Sequence, residues 1–330
     1  MNEDVDATVT AKTDLVVFLT EFRQPIDAED SMSEAGRKVL LEELIKMIKR
    51  ESGSRTGEDI EDVHDMRVAT RRMRSALRLL EPYFKQKAIA AYDRSLRKLA
   101  RVLGTVRDLD VQIDDLQKGA EALPDHAAGL AGAIALLDSR RADARAALVR
   151  LFDRGSYRRF VQDYAAFLTS PGKGARETDP ETVHPFKLRH VLPEMIYKHL
   201  GSVRAYNDVL DDADMTTLHA LRIEFKRLRY VVSLFGDVLG TSAAEFVAEL
   251  KLIQDHLGRL NDMSIAHERL TELTDEFAGK DDADVRAALG AYIESIAAQE
   301  EVLRAGMAAV WNKFNTKRVQ RQLAMAVAGL

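Results

Sequence analysis

The chain has 330 residues, 46% of them apolar and 31% charged, a composition with room for a sizeable core and about two domains. Lys and Arg number 48 against 53 Asp and Glu, a formal net charge of −5 with a pI near 6.0. That excludes a uniformly basic nucleic-acid binder, whose domain pI is typically above ~9. Cysteine is absent, which excludes disulfides, thiolate metal sites and cysteine nucleophiles.

The N-terminal MNEDVDATVT is acidic and lacks the basic and apolar regions of a signal peptide. No apolar run approaches the ~18 residues of a spanning helix, so the expectation is a cytoplasmic chain without a membrane partner. Residues 1–30 read as an N-terminal segment, partly disordered, in which Leu15–Phe22 (LVVFLTEF) is ambiguous between a short strand and a helix start. Beyond it the apolar spacing predicts helices near 31–52, 60–81, 86–121, 127–154, 156–168, 186–206, 216–236, 242–278 and 282–316. Three of the seven prolines fall between Thr169 and Pro185, which reads as a linker, and none follows Pro193. Alternating β-branched runs barely occur. The expected fold is all-α, with a first helical half at 31–168, a linker at 169–185 and a second half at 186–330.

The two halves repeat one another. His64, Arg67, Arg71, Arg72 and Arg74 lie over His219, Arg222, Lys226, Arg227 and Arg229 at a constant offset of 155, with Met66/Leu221, Val68/Ile223 and Met73/Leu228 in register. Leu103-Gly104-Thr-Val-Arg-Asp108 then matches Leu257-Gly258-Arg-Leu-Asn-Asp262 at offset 154. Two matches in the same order at nearly the same offset point to a duplicated helical bundle with pseudo-twofold symmetry.

Helical phase shows what the repeated segment presents. At about 100° per residue, His64, Arg67, Arg71, Arg74 and Arg78 fall within roughly 80° of one another. Met66, Met73, Leu77 and Leu80 take the opposite side, toward a core. His219, Arg222, Lys226 and Arg229 repeat the stripe, whereas Arg72 and Arg227 sit off it. Like charges three and four residues apart destabilise a helix by up to ~0.5 kcal/mol per pair, so such a stripe calls for an offsetting anion. Arg94, Arg97, Lys98 and Arg101 add a second basic face, of which the second half keeps Lys251 and Arg259 but has Asp255 opposite Arg101. Lys38, Lys49, Lys187 and Lys198 are weaker candidates. Concentrated basic stripes on a net-acidic chain indicate a local anion site. The plainer reading, a solvated face paired with neighbouring carboxylates, is weakened by the in-register repeat. Leu103-Gly104 and Leu257-Gly258 read as points of close helix packing, Asp108 and Asp262 as anchors for basic side chains, and Phe225, Tyr230 and Phe235 as core.

HDMRVATRRMRSALRLLEPYF, LGTVRDLDV, LHALRIEFKRLRYVVSLFGDVLG and LGRLNDMSIA together resemble the CHAD family, the conserved histidine α-helical domain, over about residues 30 to 320. The resemblance implies two four-helix halves around a basic central cavity that binds inorganic polyphosphate, without catalysis. It also implies residence on polyphosphate granules beside other granule-associated proteins. Its motif residues carry over to His64, Arg67, Arg71, Arg72, Arg74, Arg78, His219, Arg222, Lys226, Arg227 and Arg229. Ser233 stands where Arg78 stands in the first half, which breaks the pattern there. No cofactor or metal is expected.

Two other functions compete. His64-Asp65 is an HD dipeptide of the kind that helical metal-dependent phosphohydrolases use as ligands. Neighbouring arginines would repel a divalent cation, however, and the second half has Ala220 in place of Asp65. Nucleic-acid or acidic-protein binding could use the same basic face. Aromatics are only 6% and do not interleave with the stripes, unlike single-stranded nucleic-acid sites.

Overall fold

The structure is a computed structural model that describes residues 13–177, 185–277, 279 and 282–330. It is all-α: among the described residues no strand occurs beyond two isolated bridges, Ser31 with Lys187 and Phe84 with Ala175. Residues 13–21 form a helix, α1, which resolves the ambiguity at Leu15–Phe22. Residues 1–12 of the N-terminal segment and 178–184 of the linker lie outside the described residues.

The remaining helices are α2 (Met32–Lys49), α3 (Glu51–Thr56), α4 (Ile60–Leu79), α5 (Gln86–Ala122), α6 (Ala127–Asp153), α7 (Gly155–Leu168), α8 (Leu188–Arg204), α9 (Met215–Leu234), α10 (Ser242–Glu276), α11 (Ala283–Ala305), α12 (Met307–Phe314) and α13 (Lys317–Val327). Their starts follow from local capping. Ser31 accepts from the Glu34 N–H at the head of α2, Asp59 from Glu61 at α4, and Asp214 from Thr217 at α9. Asp59 and Asp214 stand at the same offset as the histidines, and α4 and α9 are both 20 residues long. α3 ends at Gly57, whose φ of +69° suits glycine.

Two helical expectations need correction. The span 282–316 breaks at Gly306, where the Leu303 carbonyl lies 2.8 Å from His256 Nε2. In a continuous helix that carbonyl would accept from the Met307 N–H. And α13 was not foreseen, although Val319, Leu323 and Ala326 recur at helical spacing and are buried behind a Thr316 cap.

By contacts the described residues form two compact units, one within 1–108 and 141–194 and the other within 109–140 and 195–330. In the first, α2 packs on α4 and α7, and α3 on α4. Met66, Met73 and Leu80 are fully buried and Leu77 nearly so, as helical phase predicted. Tyr92, Tyr164 and Phe167 form a ring cluster. In the second, α10 packs on α9, α11, α12 and α13. Phe225 meets Trp311 and Phe314 edge-on. Phe225 and Phe235 are fully buried, whereas Tyr230 is half-buried. A further cluster joins Leu116, Leu130 and Leu137 to Leu270, Leu273 and Leu289. The hairpin 109–140, which the repeat places in the first half, therefore packs with the end of α10 and with α11.

Candidate anion-binding site

In the first unit the stripe lies on α4. Core contact holds one side of the helix, so His64, Arg67, Arg71 and Arg74 are half-buried and Arg78 is exposed. The Nε atoms of Arg71 and Arg74 are buried with no hydrogen-bond acceptor. Arg67 Nη2 lies 4.0 Å from the Asp108 carboxylate on α5, an ion contact longer than a hydrogen bond.

His64 sits among charges. Burial pulls its pKa below the ordinary histidine range, and the Arg107 cation pulls it further; Glu61 and Asp65 act against this, and Arg71 with it. Arg107 is itself 3.6 Å from Glu61. In the ligand-free protein His64 therefore leans neutral.

Arg94, Arg97, Lys98 and Arg101 of α5 are exposed. Arg94 and Arg97 line a cavity of about 470 Å³ together with Arg78 of α4, Gln86, Glu81 and Asp93, over Leu77 and Ile89. The structure thus brings together three cations that sequence placed on two helices. Arg97 is paired with Asp93. Lys98 and Arg101 lie farther along the same exposed face.

In the second unit His219 is exposed at the start of α9. Its Nδ1 lies 2.7 Å from Asn261 Oδ1, while Asn261 Nδ2 donates to Asp262 at 3.4 Å. That second bond turns the amide oxygen toward the ring, so Nδ1–H is the donor. Asp262 is thus held by Asn261 rather than anchoring a basic side chain. His219 and Asn261 line a cavity of about 360 Å³ with Thr216, Ser264 and Glu268, floored by Leu218, Leu257 and Leu260. Arg222, Lys226 and Arg229 are half-buried along α9, with the Lys226 ammonium 6.0 Å from the Tyr230 ring centroid. Lys251 and Arg259 are exposed on α10.

Other candidates are engaged by acids. Arg72 pairs with the buried Glu43 at 3.3 Å, and Arg227 pairs with Glu224. These are the two positions that helical phase put off the stripe. Lys38 is held by Asp30 at 2.7 Å and Lys187 by Glu29 at 2.6 Å. Lys49 and Lys198 are exposed. In the HD pair, Asp65 is taken by Arg50 at 2.8 Å.

Sequence reasoning missed the roles of Arg107 and Asn261. The signal was present, because both occupy the fifth position of the repeated Leu-Gly segment, so each half sets this residue of the following long helix beside its histidine. The reading of Gly104 and Gly258 as close packing points is overturned. A Cβ at Gly104 would meet only Arg67 Nε, at 4.0 Å, and one at Gly258 would meet nothing within 4 Å. Leu103 and Leu257 do the packing. Glycine-mediated contact occurs instead at Gly129, where a Cβ would come within 2.5 Å of the Asp284 carbonyl. A glycine inside a helix costs about 1 kcal/mol relative to alanine, and at 104 and 258 packing does not explain it.

Comparison with known proteins adds the family. The family model described as CHAD domain matches residues 38–271, which include both stripes. The crystal structure of the CHAD domain from the plant Ricinus communis superposes with a TM-score of 0.64 over 87% of this chain and 94% of that one, at 26% identity. PptA from Streptomyces chartreusis shares the fold, with a TM-score of 0.59 over 88% of this chain and all of that one, at 14% identity. Two uncharacterized proteins of Mycobacterium tuberculosis, one from strain CDC 1551 / Oshkosh and one from strain ATCC 25618 / H37Rv, are each 28% identical over 210 residues, 64% of this chain. The chain spans 40% of the length of those curated relatives.

Proposed function

Because the chain belongs to the CHAD domain family, we propose that it is a non-catalytic module that binds inorganic polyphosphate and associates with polyphosphate granules. The observation that carries this reading is the stripe on α4, where His64, Arg67, Arg71 and Arg74 stand half-buried along one face and Arg78 is exposed at its end. A phosphate chain is a repeated, baseless anion. It needs guanidinium forks, which match its oxygens, and no stacking platforms. The stripe on α9 is a second set of contacts, and a long flexible chain that engages both gains avidity that a short one lacks.

The test is a titration of the full chain against long-chain polyphosphate, short oligophosphate and DNA at fixed salt. Long-chain polyphosphate is expected to bind most tightly. Its affinity should fall steeply as salt rises, with a log–log slope of several units, since each neutralised phosphate releases about 0.7–0.9 of a counterion in nucleic acids. Affinity unchanged by salt would sink the electrostatic reading. DNA outcompeting polyphosphate would move it to nucleic acid.

Binding is also expected to tighten as pH falls from about 7.5 to 5.5, around the ordinary histidine value of ~6.5. Burial and Arg107 hold the His64 pKa down in the free protein, and bound phosphate reverses the local field and raises it. Binding then takes up a proton, so lower pH favours the complex. His64→Gln should flatten this profile. Equal pH slopes for wild type and His64→Gln would remove His64 from the site.

A further inference from the structure

We propose that Gly104 is a seat on α5 where a phosphate of the bound polyanion comes against the helix backbone beside the Arg67 guanidinium; Gly258 holds the matching position on α10, with no side chain within 4 Å of where its Cβ would be. The inference rests on the anion-binding reading above and names a shape-determining contact within it. Neither glycine has a positive φ, and neither sits where a side chain would clash. Both lie inside long helices, where glycine lowers stability. They stand 154 residues apart in the repeated Leu-Gly segment, so the same unexplained residue marks the same place in each half.

The space itself points to the ligand. A Cβ at Gly104 would stand 4.0 Å from Arg67 Nε. A phosphate oxygen bound to that guanidinium at about 2.8 Å lies in the volume that adjoins this methyl position. Arg67 Nη2 lies 4.0 Å from Asp108, one turn further along α5 than Gly104, which places the guanidinium over this side of the helix. Open surroundings alone are not the signal. Gly290 on α11 is as open, yet α11 carries no stripe residue.

Three variants of the full chain test the seat: Gly104→Ala, Gly104→Leu and Gly290→Ala. Each is measured twice, by the thermal midpoint without ligand and by affinity for long-chain polyphosphate at fixed salt. Gly104→Ala should raise the midpoint, because alanine favours the helix, while weakening binding by about threefold. Gly104→Leu should weaken binding by about tenfold or more, as overpacking grows with side-chain size. Gly290→Ala should raise the midpoint and leave affinity unchanged. A general structural effect would move stability and affinity together; the seat moves them in opposite directions. If wild type binds and Gly104→Leu binds as well as wild type, the seat is overturned while the polyphosphate reading stands. If wild type does not bind polyphosphate, the functional reading falls and the seat falls with it.

Discussion

Arg71→Glu is expected to weaken long-chain polyphosphate binding by about 100-fold. A charge-assisted hydrogen bond is worth roughly 1.5–3 kcal/mol, which is about 10- to 150-fold in affinity, and the new carboxylate repels the ligand besides. Arg71 stands half-buried at the middle of the stripe, between Arg67 and Arg74, so a charge reversal there acts at its centre. Lys226→Glu should also weaken the long chain, by less, since α9 lacks a counterpart of Arg78 and α10 has Asp255 where α5 has Arg101. Short oligophosphate should respond mainly to Arg71→Glu. Charge reversal at Glu42, which pairs with Arg23 at 2.8 Å and Lys46 at 3.8 Å on the surface of α2, should change binding little. Intact long-chain affinity in folded Lys226→Glu would mean that the second stripe does not engage the ligand.

The largest expected effect on stability is at Glu51→Ala, which should cost about 2–3 kcal/mol, since it leaves buried donors without their acceptor. Glu51 is 1% exposed. It accepts from the Tyr157 hydroxyl at 2.9 Å and from Arg55 Nε at 3.2 Å. Arg55 also pairs with Asp153 at 2.7 Å and lies over the Phe152 ring. Truncating Glu51 leaves a phenol and a guanidinium edge desolvated in the first unit. Asp153→Ala removes a largely exposed partner of the same arginine and should cost less than about 1 kcal/mol. Urea unfolding read by tryptophan-independent helicity compares the two, because Trp311 lies in the other unit. Equal midpoints for the two variants would show that the buried network contributes no more than its surface arm.

Helix content and helix phase were legible from the chain. Spacing of apolar residues is a local property with a period of 3.6, so Met66, Met73 and Leu77 on one side of α4 and Leu221 and Leu228 on one side of α9 could be assigned to core before any packing was known. Arg72 and Arg227 fell off the stripe for the same reason. The short C-terminal α13 escaped because three buried residues, Val319, Leu323 and Ala326, make a weak pattern by themselves. Its burial depends on α10, more than 40 residues earlier, against which it packs.

Which cations remain open to a ligand was not legible, because a salt bridge depends on the partner that folding delivers. Lys187 looked equivalent to Lys198, yet Glu29, 158 residues away in sequence, holds the first. Lys38 is taken by Asp30 across the turn before α2. Arg107 and Asn261 were visible as a repeated position, but only packing of α5 and α10 on the preceding helices set one beside His64 and the other against His219. The sequence alone determined an all-helical chain with two basic stripes in register, since period, phase and offset are properties of residue order. Tertiary structure decided which charges are neutralised, how each histidine is polarised, and that Gly104 and Gly258 face open space, since those depend on distances between residues far apart in the chain.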